Sequence, residues 1–191
     1  MAGGERTVGV LALQGSFAEH LACLERLEGV RPLPVKTPAD LARAEALILP
    51  GGESTAQSRL LRRAGLWEPL KGRLAEGMPA WGTCAGAILL AGEVVGEDPH
   101  LGAMDIAVRR NAFGSQLDSF TARQAIAEVG PEERALVFIR APWIERVGPR
   151  AQVLCRVRGQ IAAARQGRLL ATAFHPELTG DLDFYRYFLS L

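Results

Sequence analysis

The sequence contains little cysteine and almost no excess charge of either sign. Its 191 residues include three cysteines, Cys23, Cys84 and Cys155, and no Cys-x-x-Cys or Cys/His cluster. We therefore expect neither a disulfide framework nor a metal site. The 22 basic residues, of which only Lys36 and Lys71 are lysines, balance 21 acidic ones to a net charge of +1. That balance gives no indication of a nucleic-acid partner.

The sequence also lacks long apolar runs. The longest are about seven residues, whereas a membrane-spanning helix needs about 20. The N-terminal residues do not show the basic start and apolar segment of a secretory signal. We therefore expect a cytoplasmic protein with no membrane partner. With 48% apolar and 23% charged residues, the chain is predicted to fold as one domain over residues 1–191.

Apolar segments alternate with amphipathic ones in the first half of the chain. The continuously apolar runs are typical of strands covered on both faces of a parallel sheet; they are Thr7–Gln14, Ala46–Pro50 and Pro79–Thr83. Each is followed by a predicted helix. Ser16 and Glu19 have the spacing of a capping box at the start of the first helix.

The second half is predicted to be rich in strands. They are expected at Leu101–Arg109, Ser119–Val129, Ala135–Arg140, Ala151–Arg158, Gln160–Gln166 and Leu169–Phe174, before a terminal helix at Asp181–Leu191. Few helices separate these strands, so we expect antiparallel additions to the parallel sheet. The order of elements predicts an α/β fold, with mostly parallel core strands and antiparallel additions in the second half.

The strongest chemical signal is the segment Gly82-Thr83-Cys84-Ala85-Gly86, which follows an apolar strand and opens a helix. A nucleophile between glycines at such a turn forms a nucleophile elbow. The N-terminus of the following helix supplies amide donors that stabilise a thiolate and an oxyanion. The alternative is a buried core cysteine between two ordinary glycines.

A second signal is the segment Phe174-His175-Pro176-Glu177 at the end of a strand. Pro176 favours an extended conformation at His175, so that His175 and Glu177 point the same way. A carboxylate that orients a histidine, which activates a thiol, is the logic of a catalytic triad. The alternative is a His-Pro turn with a surface glutamate.

A third signal is Gly51-Gly52-Glu53-Ser54, also at a strand end. Paired glycines let the backbone approach a ligand and present amides to an anion. The alternative is a plain strand-to-helix turn with Ser54 as the helix cap. Among other candidates, His20 is interpreted as structural or as part of a partner surface, and Cys23 and Cys155 as core residues.

With these segments together, the chain resembles the triad-type (class I) glutamine amidotransferases, and more narrowly the glutaminase subunits of pyridoxal 5′-phosphate synthase. The resemblance runs nearly end to end. Besides the three segments above, it rests on Leu11-Ala12-Leu13-Gln14-Gly15 with Glu19-His20, Arg110-Asn111-Ala112-Phe113-Gly114-Ser115-Gln116, Phe138-Ile139-Arg140-Ala141-Pro142 and Ala171-Thr172-Ala173-Phe174 with Leu178. It implies a three-layer, flavodoxin-like mixed sheet.

The resemblance implies hydrolysis of L-glutamine to L-glutamate and ammonia, without a metal or organic cofactor on this subunit. The ammonia would pass to a synthase subunit, in a hetero-oligomeric complex that builds pyridoxal 5′-phosphate from a pentose phosphate and a triose phosphate. The implied catalytic residues are Cys84, His175 and Glu177. The oxyanion site would use amides of Ala85 and of Gly51 or Gly52. The residues expected to bind substrate are Gly52, Glu53, Ser54, Arg110, Ile139 and Arg140.

Two rival functions remain open at this point. The chain could serve another synthase, such as the one that forms imidazole glycerol phosphate, or it could be a non-catalytic glutamine-sensing subunit. The resemblance also predicts regulation: rotation of the peptide between Gly51 and Gly52 would complete the oxyanion site when the synthase docks near the first helix.

Overall fold

The computed structural model describes residues 5–110 and 119–191. Its helices are α1 (Phe17–Leu24), α2 (Pro38–Arg43), α3 (Ser54–Arg63), α4 (Trp67–Ala75), α5 (Ala85–Leu90) and α6 (Asp183–Ser190), with a short 3-10 helix at Pro176–Leu178. Its strands are β1 (Arg6–Leu11), β2 (Val30–Val35), β3 (Ala46–Leu49), β4 (Ala80–Thr83), β5 (Ala91–Val94), β6 (Met104–Arg109), β7 (Ser119–Ile126), β8 (Gly130–Ile139), β9 (Trp143–Val147), β10 (Gln152–Val157), β11 (Gln160–Gln166) and β12 (Leu169–Thr172).

One large sheet organises most of these elements. Its strands follow the order β2-β1-β3-β4-β12-β11-β9-β6-β5, and β10 also pairs with β11. The five strands from β2 to β12 in this order pair in parallel. Strand β11 then runs antiparallel to β12, β9 and β10. The predicted α/β fold, with a parallel core and antiparallel additions, is confirmed.

Helices cover both faces of the sheet, which gives three layers and two apolar cores. In β3, Leu47 and Leu49 belong to the core beneath α2 to α5, whereas Ala46 and Ile48 belong to the core beneath α1 and α6. A strand buried on both faces must be apolar at every position, which is why the sequence of β3 does not alternate. Strands β1, β3, β4 and β12 are parallel, so their carboxyl ends meet at one edge of the sheet, where ligands bind in such folds.

The second half departs in detail from the expectation. Strands β7 and β8 form a separate two-stranded antiparallel ribbon instead of joining the large sheet. The ribbon is joined to the sheet edge by the backbone amide of His175, which donates to the carbonyl of Val137 at 2.8 Å. The buried Arg134 side chain also ties the ribbon to Asp181 and Asp183, at 3.3 and 3.2 Å. Strands β5 and β9 had no predicted counterpart.

One predicted helix cap is wrong, and the cap considered as the alternative for α3 is not formed. Ser16 stands at the N-cap of α1, but its side chain makes no capping hydrogen bond, because the hydroxyl is bonded to Glu177 instead. At α3 the cap is Glu53 instead of Ser54, and its carboxylate accepts from the amides of Thr55 and Ala56. A carboxylate at this position also complements the partial positive charge of the helix N-terminus.

Candidate active site

The turn between β4 and α5 places Cys84 at the carboxyl edge of the sheet. Cys84 has φ +49° and ψ −106°, a strained conformation that a non-glycine residue adopts only when its surroundings enforce it. Its own amide donates to the carbonyl of Thr172 at 2.8 Å. The amide of Ala85, the first residue of α5, has no acceptor inside the helix. The elbow therefore offers a nearly buried thiol beside an available amide donor.

Close backbone contacts explain the glycines of the elbow. A Cβ atom on Gly86 would lie 1.9 Å from the carbonyl oxygen of Leu49. A Cβ atom on Gly82 would lie 2.3 Å from the carbonyl oxygen of Gly86. Helix α5 thus lies directly against the end of β3, and glycine is the only residue that fits at these two positions.

His175 and Glu177 lie beside the elbow and form a buried pair. Nδ1 of His175 is 2.8 Å from Oε1 of Glu177. The spacing follows from the 3-10 helix that starts at Pro176, and not from the extended segment that was predicted. With Nδ1 bonded to the carboxylate, Nε2 of the ring remains for a proton exchange with Cys84. The three side chains that were predicted as a triad are therefore brought together.

The environment favours a charged imidazole. Burial disfavours the charge on His175, but hydrogen bonds with Cys84 and Glu177 outweigh burial and raise the pKa of His175 to about 10. Burial likewise acts to raise the pKa of Glu177, yet the hydrogen bond with His175 and nearby charges lower it overall. The pair is thus held as imidazolium and carboxylate around neutral pH.

Residues that the sequence reasoning missed lie behind this pair. The Ser16 hydroxyl donates to Oε1 of Glu177 at 2.7 Å. Nε2 of the fully buried His20 is 3.5 Å from Oε2 of the same carboxylate. The two ring nitrogens of His20 are also hydrogen-bonded, to Tyr185 and Thr83. His20 is therefore not on a partner surface. No local pattern indicates these contacts, since they join three distant parts of the chain.

The glycine pair at the end of β3 contacts the same centre. A Cβ atom on Gly51 would lie 2.5 Å from Cε1 of His175 and 3.4 Å from Cβ of Cys84. The carbonyl of Gly51 accepts a hydrogen bond from the amide of Ser16 at 3.0 Å. Absence of a side chain at Gly51 thus allows this loop to reach the thiol and the imidazole.

A cleft of about 400 Å³ opens above Cys84 and His175. It is lined by all six residues that were predicted to bind substrate: Gly52, Glu53, Ser54, Arg110, Ile139 and Arg140. Ala85 also lines it, and Gln14, Ile88 and Pro142 are lining residues that were not predicted. Asn111 to Gln116, which carry part of the resemblance, fall outside the described residues.

Ion pairs hold Arg110 at the mouth of the cleft. Its guanidinium is 2.8 Å from Glu53 and 3.1 Å from Glu97, and it donates to the hydroxyl of Thr55 at 3.1 Å. Arg140 is exposed and has φ +42°. The mouth thus carries carboxylates and guanidinium groups, which are the groups needed to bind both charged ends of an amino acid.

Within residues 5–110 and 119–191, no group of three or more His, Cys, Asp or Glu side chains is arranged to hold a metal ion. In the same part of the chain, no helix is long and apolar enough to cross a membrane. Cys23 and Cys155 are buried free thiols away from the cleft lining.

Comparisons with known proteins find similar chains along nearly the whole length. The model of the SNO glutamine amidotransferase family matches residues 10–191. A Herpetosiphon aurantiacus protein named pyridoxal 5′-phosphate synthase subunit PdxT is 55% identical over 97% of this chain and 100% of its own length. A Deinococcus radiodurans protein of the same name is 56% identical over 97% and 96%.

A solved structure described as a glutamine amidotransferase superimposes with a TM-score of 0.87, at 45% identity over 96% of this chain and 97% of that one. PurLQS from Thermotoga maritima superimposes with a TM-score of 0.69 at 18% identity, over 98% of both chains, which is a likeness of fold alone. The resemblance indicated by the sequence motifs is confirmed.

Proposed function

The chain belongs to the SNO glutamine amidotransferase family, and we propose that it hydrolyses L-glutamine to L-glutamate and ammonia with Cys84, His175 and Glu177 as its triad. The observation that carries this proposal is the composition of one cleft. The cleft holds a strained, buried thiol and a carboxylate-paired imidazole below, and carboxylate and guanidinium groups at its mouth. An amino acid with a reactive side-chain amide fits both halves.

In the proposed reaction, His175 already holds the proton of the Cys84 thiol, and the thiolate sulfur attacks the side-chain amide carbon of glutamine. The tetrahedral intermediate collapses as the imidazolium of His175 protonates the leaving nitrogen, so that ammonia departs and a γ-glutamyl thioester remains on Cys84. Water then gives a proton to His175 and attacks the thioester. The second intermediate releases glutamate and the thiolate of Cys84, and His175 keeps the proton that water gave it, so that the imidazolium and thiolate are restored. Glu177 orients His175 and stabilises its charged form.

The negative oxygen of the intermediate would be held by backbone amides. Ala85 is the candidate at the start of α5, since the Cys84 amide is already bonded to Thr172. The second donor would come from Gly51 or Gly52, in the loop that reaches His175 and Cys84. Each such donor contributes about 3 kcal/mol to the stability of the transition state.

The charged ends of glutamine would be bound at the mouth of the cleft. We assign the substrate ammonium to Glu53 and the substrate carboxylate to Arg110 and Arg140, with the Ile139 backbone and the Gly52–Ser54 turn as further contacts. Support comes from their common position on the cleft lining. Glu53 and Arg110 are paired with each other before substrate binds, so binding would exchange one set of ion pairs for another.

We further propose that the ammonia serves synthesis of pyridoxal 5′-phosphate from a pentose phosphate and a triose phosphate. The support is the name of the relatives at 55% and 56% identity, which are pyridoxal 5′-phosphate synthase subunits. On this proposal the chain is one amidotransferase domain in the cytoplasm, in a hetero-oligomeric complex with a synthase subunit. It needs no cofactor of its own.

Docking of the synthase is proposed to raise the rate through the Gly51–Gly52 peptide. The amide of Ser16, at the start of α1, holds the Gly51 carbonyl, so a partner that contacts α1 can act on this peptide. Rotation of one peptide unit between two glycines is sterically cheap. We expect the synthase to stimulate glutamine hydrolysis at least about tenfold, within the range that one oxyanion donor supplies.

The test is an assay of glutamate release by the chain with and without the cognate synthase subunit. Acid quenching during turnover, followed by mass spectrometry, should find the γ-glutamyl adduct on the peptide that contains Cys84. Hydrolysis without an adduct on Cys84 would overturn the assigned nucleophile. No hydrolysis in the presence of the synthase would overturn the proposed activity.

A further inference from the structure

Helix α1 presents two polar side chains to the triad carboxylate. Ser16 and His20 are four residues apart and therefore lie on the same face of the helix. The hydroxyl of Ser16 is 2.7 Å from Oε1 of Glu177, the oxygen that also bonds His175. Nε2 of His20 is 3.5 Å from Oε2. One helix face thus reaches both oxygens of a single buried carboxylate.

The contact of Ser16 is made at the expense of its own helix. Ser16 and Glu19 have the sequence of a capping box, and a cap made by a serine side chain stabilises a helix by about 1 kcal/mol. Here the hydroxyl makes no cap and is bonded to Glu177. Such departures from local rules are expected where a residue serves a functional site.

The surroundings of His20 determine which ring nitrogen carries its hydrogen. Burial lowers the pKa of His20 to about 4 despite the opposing charge of Glu177, so the ring is neutral at pH 7 and has one N–H. Nδ1 is 2.7 Å from the hydroxyl of Tyr185, which can donate to it. Nε2 then carries the hydrogen and faces both Thr83 Oγ1, at 3.1 Å, and Oε2 of Glu177.

The opposite tautomer of His20, with the hydrogen on Nδ1, would leave Oε2 of Glu177 without an N–H donor. Oε2 of Glu177 is buried and makes no ordinary hydrogen bond among the described residues. With a bare Nε2, the His20 ring would turn a lone pair toward this oxygen, and a buried unpaired carboxylate oxygen is costly. With a hydrogen on Nε2, the ring turns the positive end of its N–H dipole toward Oε2.

We propose that Ser16 and His20 are positioning residues, which fix both oxygens of Glu177 so that Oε1 stays directed at Nδ1 of His175. This inference deepens the proposed function and rests on it. Neither residue lines the substrate cleft. Their effect would pass through the orientation of Glu177 to the imidazolium of His175 and then to the thiolate of Cys84.

The first test measures how fast iodoacetamide alkylates Cys84 as a function of pH, in the isolated chain and without glutamine. The thiolate is the reactive form, so the midpoint of the profile reports the thiolate–imidazolium pair. Ser16→Ala should move the midpoint to higher pH, because a less oriented Glu177 stabilises the imidazolium less. Ser16→Thr, which keeps a hydroxyl, should restore the midpoint.

His20 offers a matched pair of variants. Gln and Met are both unbranched and similar in length, but only Gln places an N–H donor near the position of Nε2. We expect His20→Met to shift the alkylation midpoint further than His20→Gln. The titratable groups that face this network are Cys84 and His175 on one side of Glu177, and Cys23, Tyr185 and Glu19 around His20. These groups are the same in the two variants. A difference between His20→Gln and His20→Met therefore reports the N–H donor alone.

The second test is steady-state hydrolysis of glutamine in the complex with the synthase subunit. Ser16→Ala should lower kcat about tenfold with KM within about twofold, and Ser16→Thr should recover most of the loss. Ser190→Ala, which removes a hydroxyl from the far end of α6, should change neither constant. Circular dichroism checks that each variant is folded.

The outcomes separate this inference from the proposed function. Alkylation profiles and kcat that do not respond to Ser16→Ala or to the Met and Gln variants of His20 would overturn the positioning role. A shift of the alkylation midpoint without any hydrolysis of glutamine by the unmodified complex would support the positioning role and overturn the glutaminase activity. If Ser16→Ala does not fold, the His20 pair still decides the question.

Discussion

The floor of the cleft and its rim are built on different principles. We use floor for Cys84, His175 and Glu177, and rim for Glu53, Arg110 and Arg140. The floor residues are buried, and backbone or side-chain hydrogen bonds hold each of them. The rim residues are partly or fully exposed, and an ion pair between side chains joins Glu53 to Arg110.

On the proposed function, the difference separates the residues of the chemical step from those that bind the substrate. Groups that make and break bonds must keep their geometry within fractions of an ångström, and burial against a rigid sheet edge provides this. Groups that bind the ends of a charged substrate must release their own partners first. Exposed ion pairs contribute little to stability, typically about 1 kcal/mol or less, so they are exchanged at small cost. Substitutions in the floor should therefore change kcat, and substitutions in the rim should change KM.

The largest effect is expected from Cys84→Ala. The variant removes the sulfur that forms the thioester, and glutamine hydrolysis should fall by at least about 10⁵-fold, as for nucleophile loss in other triads. The fold should persist, because the side chain only becomes smaller. Glutamate release is the measurement. Cys155→Ala serves as a control and should retain activity; loss of less than about tenfold in Cys84→Ala would mean that another residue is the nucleophile.

Glu177→Gln should have the next largest effect. The amide keeps the size of the side chain but removes the charge that stabilises the imidazolium of His175. We expect kcat to fall about 10³-fold with little change in KM. Since Glu177 also raises the pKa of His175, the pKa of His175 should fall in the variant. Titration of the His175 ring by NMR would detect the fall, and an unchanged titration would contradict the assigned pair.

Arg140→Ala tests the rim in the same way that the two preceding variants test the floor. Loss of the guanidinium should raise KM for glutamine about tenfold or more while kcat changes little, because a hydrogen bond to a charged group in a site contributes about 1.5–3 kcal/mol. Steady-state kinetics in the presence of the synthase give both constants. An unchanged KM together with weaker synthase binding would place Arg140 at the partner interface instead.

The smallest effect is expected from Glu97→Gln. Glu97 pairs with Nη1 of Arg110, whereas Glu53 pairs with Nη2. Loss of one of the two carboxylates should leave Arg110 in place but freer to bind the substrate carboxylate. We expect KM to change about threefold or less, with kcat unaffected. A large fall in kcat would break the division between floor and rim, since it would show that the rim controls the chemistry.

The segments that carry the floor residues can be found in the sequence because each signal is local. The elbow around Cys84 and the pair His175 and Glu177 each occupy a few consecutive residues, and each follows an apolar strand. The fold brings them together because β4 and β12 are adjacent parallel strands whose carboxyl ends share one edge. Strands β1, β3 and β4 were predictable for the same reason, as burial on both faces makes their residues apolar throughout.

Contacts between distant segments were not predictable. Strand β5 reads Ala-Gly-Glu-Val, with a glycine and a glutamate that are poor strand formers, and it forms because β6 supplies a parallel partner. Strand β9 follows Pro142 and takes its pairing from β6 and β11. The hydroxyl of Ser16 bonds neither its own helix nor its neighbours in sequence. It donates instead to Glu177, 161 residues away, because the carboxylate is a stronger acceptor.

The contact between Gly86 and the carbonyl of Leu49 has a consequence for mutational tolerance. A glycine is usually exchangeable where its conformation is ordinary, and Gly72, which has open space around it in α4, should accept most residues. Gly86 is also helical, yet any side chain there would push α5 away from β3 and carry Cys84 with it. Substitutions at Gly72 should therefore retain both stability and activity, whereas substitutions at Gly86 should lose both together.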